Sequence, residues 1–157
     1  MPKPVEESDE KIVCRNREAA RHYSFEEVFE AGLALRGSEV KSLREGLAQL
    51  KDAYCDFQDD ELYLIGAHIS PYPYAKNFNH NPDRTRKLLL HRLQLKRLLG
   101  KTSQRGLTIV PLKIYFKRGR AKVEIALAKG KKLFDHREDI KKRDMMRDMR
   151  REMKYRR

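Results

Sequence analysis

Four groups of side chains have the types and spacing to do chemistry, and each suits a polyanion better than a reaction. Asp83-Arg84-Thr85-Arg86-Lys87 packs three cations into four positions. If Asp83 or Thr85 caps a helix running to Leu99 and closed by Gly100, these cations oppose the helix dipole, which implies an external anion. On that helix Arg84, Lys87 and His91 share a face fit for phosphates and sugar edges; a solvated basic face is the alternative. Lys41 and Arg44 lie three apart on a shorter helical stretch. They form either a phosphate clamp or ordinary polar surface paired weakly with Glu39 or Glu45. Tyr72, Tyr74 and Phe78 alternate with Lys76, Asn77, Asn79 and His80, which suits base stacking as well as covering a core edge. The fourth group is the segment Lys129 to Arg157, with 13 basic and 6 acidic residues. There Met145, Met149 and Met153 recur every four positions as a thin stripe.

Catalytic readings find less support. Gly100-Lys101-Thr102 imitates the end of a phosphate-binding loop, but position 95 is Leu and the triplet closes a helix instead of opening one. His68, His80 and His91 are too far apart for a local metal motif. His22 with Glu30 or His91 has the chemistry of a general acid–base pair for RNA cleavage, yet no spacing supports it. The expectation is a binding protein, with no cofactor and no metal. A small ribonuclease is the distant alternative.

Composition agrees. The 157 residues carry 36 Lys and Arg against 23 Asp and Glu, a formal charge of +13. A compact domain with that excess repels itself, and a polyanion whose counterions are released on binding relieves the repulsion. Cys14 and Cys55 fit neither a zinc ribbon nor a redox pair and read as reduced, buried thiols of a cytoplasmic protein. No N-terminal apolar stretch resembles a signal peptide, and no leucine run approaches a membrane span.

These groups need elements to hold them. Residues 1–10, acidic and proline-containing, read as a disordered arm. Lys11 to Cys14 opens a strand, and Asn16 to His22 is briefly helical. Ser24 to Leu35 reads as a long bent strand with Gly32 as a bulge. Ser38 is placed to cap a short helix through Glu45, with Gly46 at the left-handed closing position. Ala53 to Gln58 and Glu61 to Ile69 form strands about an Asp59-Asp60 turn, and 70–82 is a loop. Val110, Leu112, Ile114 and Phe116, then Val123, Ile125 and Leu127, alternate about Arg118-Gly119 as a β-hairpin with one core face and one partly basic face. Pro111 favours a strand edge or a bulge. Residues 11–128 thus read as mainly β with helices, a small antiparallel barrel; 129–157 is a disordered basic tail.

Three segments also carry a resemblance. Glu30-Ala-Gly-Leu-Ala-Leu-Arg-Gly-Ser-Glu-Val-Lys-Ser-Leu-Arg44, Pro82-Asp-Arg-Thr-Arg-Lys-Leu-Leu-Leu-His91 and Ala126-Leu-Ala-Lys-Gly-Lys-Lys132 closely resemble the signature of the SsrA-binding protein (small protein B) family, in the right order and spacing. The resemblance runs from about Asn16 into the tail. It implies an oligonucleotide-binding-fold barrel with flanking helices, and a bacterial, non-catalytic monomer with two partners. One is the tRNA-like domain of transfer-messenger RNA. The other is the stalled ribosome, where trans-translation tags the incomplete peptide and the tail folds into a helix in the empty mRNA channel. Without the resemblance, a ribosomal or ribosome-assembly protein of similar fold remains the second reading. Carried over by position, His22, Glu30, Lys41 and Arg44 match the family's RNA-facing surface. Leu89 and His91 match helix positions tied to RNA binding, with His91 where many members have Asn. Lys122 falls on the hairpin face near RNA. Lys129, Lys131 and Lys132 begin the tail, and Phe134, Asp135, His136 and Arg137 match the decoding-centre segment, with His136 in place of Lys.

Overall fold

The computed structural model describes residues 10–75, 77–103, 106–131, 143 and 145–151. In chain order the elements are β1 (Glu10–Arg15), α1 (Ala19–His22), β2 (Tyr23–Leu33), α2 (Gly37–Arg44), β3 (Ala48–Gln49), β4 (Tyr54–Gln58), β5 (Glu61–Ile65), β6 (His68–Ile69), β7 (Arg86–Leu89), α3 (Arg92–Thr102), β8 (Leu107–Lys117) and β9 (Arg120–Gly130). Every strand pairing is antiparallel. The large sheet runs β1-β8-β4-β5-β7-β2-β9, and β9 returns to β8, so six strands close into a barrel with β1 on the outside of β8. Closure removes the edges that six open strands would present. The small β3–β6 ladder stands apart. The antiparallel barrel with helices read from the sequence is the fold found.

Local chemistry explains the turns. Arg118 and Gly119 both have positive φ (51° and 77°), as a two-residue hairpin turn requires, and Asp59 and Asp60 do the same between β4 and β5. Gly46 closes α2 at φ 74°; its N–H reaches the Leu43 carbonyl while the Leu47 N–H reaches Ser42. The barrel interior is filled by Leu62, Leu64, Leu88, Ile109, Ile114, Val123, Ile125 and Leu127, all essentially without solvent contact.

Several sequence expectations need correction. The helix expected from Asp83 or Thr85 to Leu99 is two elements. Residues 86–89 form β7, with Arg86 and Leu88 turned inward and Lys87 and Leu89 outward, a two-residue period. The helix α3 starts only at Arg92, with His91 as its extended N-cap, and Gly100 lies inside it. The Leu88-Leu89-Leu90 run supports either period, and barrel closure selects the strand. Arg84, Lys87 and His91 therefore share no helix face. The expected bulge at Gly32 is instead a register shift between Phe25 and Glu27. Gly32 is small because β7 crowds it: a Cβ there would stand 3.3 Å from the Leu89 Cβ. Ser38 lies within α2 and Arg36 is the N-cap.

In β8 a bulge between Pro111 and Lys113 shifts the alternation by one. Ile114 and Phe116 enter the main core with Ile109, whereas Val110 and Leu112 join a small outer cluster with Tyr23, Ala126 and Ala128. On β4, Cys55 takes the core position and Tyr54 is exposed. The last strand continues past Ala128 to Gly130, so Lys129 lies in the barrel wall, opposite Ser24 and Leu107. Residues 145–151 are helical, with Met145 and Met149 exposed. Met153 lies outside the described residues, as do positions 1–9 of the arm.

Candidate nucleic-acid interface

The barrel distributes the expected site residues between the two ends of β2. At its start is His22, the last residue of α1. The His22 carbonyl accepts the Lys131 backbone N–H at 2.8 Å, and Tyr23 pairs with Gly130. Lys131 thus lies beside His22 along the backbone, and Lys129 two positions before it pairs with Ser24. A hollow there is lined by His22, Tyr23, Asp52 and Tyr54. Lys132, Phe134, Asp135, His136 and Arg137 lie outside the described residues.

Eight positions along β2, roughly 25 Å of extended chain, separate His22 from Glu30. Glu30 is on the outer face of the sheet, where the Tyr115 hydroxyl donates to Oε2 and the Lys117 ammonium stands 3.3 Å from the same oxygen. Burial raises the Glu30 carboxyl. The hydrogen bonds from Tyr115 and Lys117, with the charges of Lys117 and Lys122, outweigh that and hold it below the ordinary carboxylate value. Burial and the adjacent Glu30 anion push the Tyr115 phenol up, so it remains a donor. The result is an anionic acceptor framed by cations, able to take a hydrogen from a ribose hydroxyl or base amino group beside phosphates held by lysine.

Leu89 and Lys122 adjoin this group. Together with Gly32, Val40 and Arg120 they line a shallow hollow of about 330 Å³. Leu89 is 52% exposed, with an apolar side chain set among cations. Around the corner Lys87, Arg92 and Lys96 line a longer groove of about 590 Å³ between β7 and α3. Lys87 stands 3.6 Å from Glu61, a half-exposed pair that a phosphate can replace at little cost. The side chain of His91, at the mouth of α3, is exposed.

On α2, Lys41 and Arg44 are exposed and form no ion pair among the described residues. Of the two acids expected beside them, Glu45 makes no ion pair with either among the described residues, and Glu39 is turned inward and has no solvent access. Its carboxylate accepts from Arg84, from Arg86 and from the Arg36 backbone N–H. Burial raises this carboxyl, but the hydrogen bonds from Arg84, Arg36 and Arg86 reverse the effect and hold it below its ordinary value. Arg86 also donates to the carbonyls of Ala67 and Pro82 (2.8 and 3.1 Å), and Arg84 to that of Ala34 (3.3 Å). Arg84, expected on the RNA face, has its guanidinium committed to this internal carboxylate. Sequence reasoning missed Arg86 as a buried residue. Its flanking by Leu88 at two-residue spacing was the available signal.

Among the described residues, no cluster of three or more His, Cys, Asp or Glu is arranged to hold a metal ion. Within the same residues no helix is long and apolar enough to cross a membrane.

Comparison with known proteins gives this surface a family. The model of the SmpB protein family matches residues 13–155. The chain belongs to the SmpB family. Curated relatives include an SsrA-binding protein of Pelotomaculum thermopropionicum, 54% identical over 146 residues, 93% of this chain and 95% of that protein. Another, from Solidesulfovibrio magneticus, is 55% identical over 149 residues, 95% of this chain and 97% of that protein. Among solved structures, one described as "tmRNA-SmpB: a journey to the center of the bacterial ribosome" contains a chain 52% identical to this one. The two superpose with a TM-score of 0.64 over 76% of this chain and 85% of that one. The SmpB match runs through the barrel and on to residue 155.

Proposed function

We propose that this chain binds the tRNA-like domain of transfer-messenger RNA and carries it to stalled bacterial ribosomes in trans-translation. The observation that supports this most directly is the 52% identity to the SmpB chain of the transfer-messenger RNA structure, a likeness of sequence and fold together. The barrel grips structured RNA. Glu30, Leu89 and Lys122 form the central contact, Lys41 and Arg44 take phosphates from α2, and Lys87 exchanges Glu61 for a phosphate. His91 supplies a hydrogen bond at the mouth of α3, and Arg84 keeps α2 in place. This RNA-binding role needs no catalytic step and no cofactor, and it is carried out in the cytoplasm.

At the far end of β2, His22 marks where the tail departs. Lys129, Lys131 and Lys132 lead it toward ribosomal RNA, and Phe134, Asp135, His136 and Arg137 occupy the decoding centre. The tail folds as a helix in the vacant mRNA channel. A chain ending at Lys131 tests the division of labour. It should retain most of its affinity for the tRNA-like domain and support no peptide tagging. Equal loss of both would overturn the two-part reading.

A further inference from the structure

The loop from Ser70 to Pro82 presents aromatic rings to water and is built to keep them there. Tyr74 is 80% exposed and Phe78 91% exposed. Rings with no internal role usually fold back onto the core, because each buries a large apolar area. Here two polar side chains prevent it. The Asn79 amide clasps the loop: its Oδ1 accepts the Tyr72 N–H at 3.0 Å, and its Nδ2 donates to the carbonyls of Tyr72 and Ala75 at 2.9 and 3.3 Å. His80 is buried and bridges two elements, with Nε2 2.8 Å from the Ile69 carbonyl and Nδ1 2.9 Å from the Ser38 hydroxyl on α2. A carbonyl only accepts, so Nε2 carries the hydrogen and Nδ1 accepts from Ser38.

Loop and helix are therefore fixed against each other, with a hollow of about 580 Å³ between them, lined by Arg36, Lys41, Tyr74, Asn77 and Phe78 among others. That volume lies in the range of small-ligand sites, about 300–1,000 Å³. Tyr72 and Tyr74 meet edge to face at 5.4 Å, and the Lys41 ammonium stands 5.7 Å over the Tyr72 ring. The chemistry of the walls is one-sided. Arg36 and Lys41 bring positive charge, while Glu39, the acid of the same helix turn, is turned away and neutralised by Arg84 and Arg86.

We propose that this hollow is a stacking site for one unpaired base of RNA, with Tyr74 and Phe78 as the platforms and Lys41 and Arg36 on the adjoining phosphate. Aromatic faces stack on any base, a flanking cation adds backbone attraction, and the Asn77 amide is placed to reach a base edge. An apolar peptide would leave the cations unpaired, and an acidic one would leave the rings without a planar partner. The site rests on the RNA-binding reading above and deepens it. The base comes either from the transfer-messenger RNA or from ribosomal RNA.

The chain has no tryptophan, so Phe78→Trp installs a single emitter in the hollow. Two titrations of the full chain separate the sources, one with the isolated tRNA-like domain and one with small ribosomal subunits. Binding is followed in parallel by filter retention. Trp emission at 78 should be quenched with the same midpoint as retention in at least one arm, and that arm identifies the source. In the same arm, Tyr74→Ala with Phe78→Ala should weaken binding about tenfold or more. The salt slope should stay unchanged, because stacking releases no counterions, and so should the thermal midpoint. Retention of RNA with unchanged emission in both arms, or full affinity in the double variant, overturns the site and leaves the RNA-binding reading intact. Failure of the unaltered chain to retain either RNA overturns that reading and this one with it.

Discussion

Arg86 Nε meets Glu39 Oε2 at 2.5 Å, and neither side chain has any solvent access. The contact joins the third residue of α2 to the first residue of β7, 47 positions apart in sequence. It sets the helix that carries Lys41 and Arg44 against the strand that carries Lys87 and Leu89, so one interior pair orients two parts of the outer surface.

Breaking one member should cost far more than replacing both. Arg86→Met leaves Glu39 Oε2 without its donor in the interior, with Oε1 still held by Arg84 and the Arg36 N–H, and should destabilise the barrel by about 3 kcal/mol. Combining Arg86→Met with Glu39→Leu should restore part of that loss. Urea melts of the three proteins check this. A double variant as unstable as the single one would show that the pair is not the unit.

Acid should act through the same carboxylate. Glu39 is held below its ordinary value, so its contribution to stability is complete above about pH 4.3, the unfolded value. It fades as pH falls through the lower folded value. The stability gap between the unaltered chain and Glu39→Gln should therefore be constant from pH 7 to 5 and narrow below about pH 4. A gap that is flat down to pH 2.5 in equilibrium melts would remove Glu39 from the acid response.

Lys41→Glu and Arg44→Glu should each weaken binding of the tRNA-like domain and reduce the slope of log affinity against log salt by about one. Their effects on thermal stability should be small, since neither residue pairs with an acid among the described residues. An unchanged slope would take α2 out of the RNA contact.

The two thiols should be inert in the native chain. Desolvation raises the Cys14 thiol to about 11, offset only in part by a backbone hydrogen bond at Ile114, and burial pushes Cys55 up further. At pH 8 the reactive thiolate is scarce in both. A disulfide reagent should modify neither within minutes at pH 8 and both at once in denaturant. Rapid native labelling would show that the β1–β8 edge opens.

The hairpin of β8 and β9, the closing turn of α2 and the antiparallel barrel were legible because each rests on local chemistry. Arg118-Gly119 and Gly46 need positive φ, and Val123, Ile125 and Leu127 keep a strict period of two. What escaped the sequence was decided at long range. The leucines at 88–90 fit a helix and a strand equally, and only pairing with β2 and β5 settles the matter. Glu39 has Lys41 and Arg44 nearby in sequence but is matched to Arg84 and Arg86, 45 and 47 positions further along the chain. Pro111 marked the β8 bulge as one of two possibilities, an edge or a bulge, but the outward shift of Val110 and Leu112 that follows from it was hidden by the regular alternation of apolar residues on both sides. For the interface, the cations were legible as a class, whereas which were free and which were committed to an internal acid was not.

The strand β2 carries His22 just before its first residue and Glu30 near its other end, with β9 paired beside it over nearly its whole length. A paired strand of fixed register cannot stretch, so it works as a ruler. The distance between the tail's exit and the Glu30 surface is a property of the backbone, indifferent to most side-chain changes and intolerant of a lost or added residue pair. Deleting two residues from both β2 and β9 would preserve alternation and every charge, yet shorten the span by roughly 7 Å. Two partners gripped at opposite ends would then be drawn out of step, although each contact remained chemically intact.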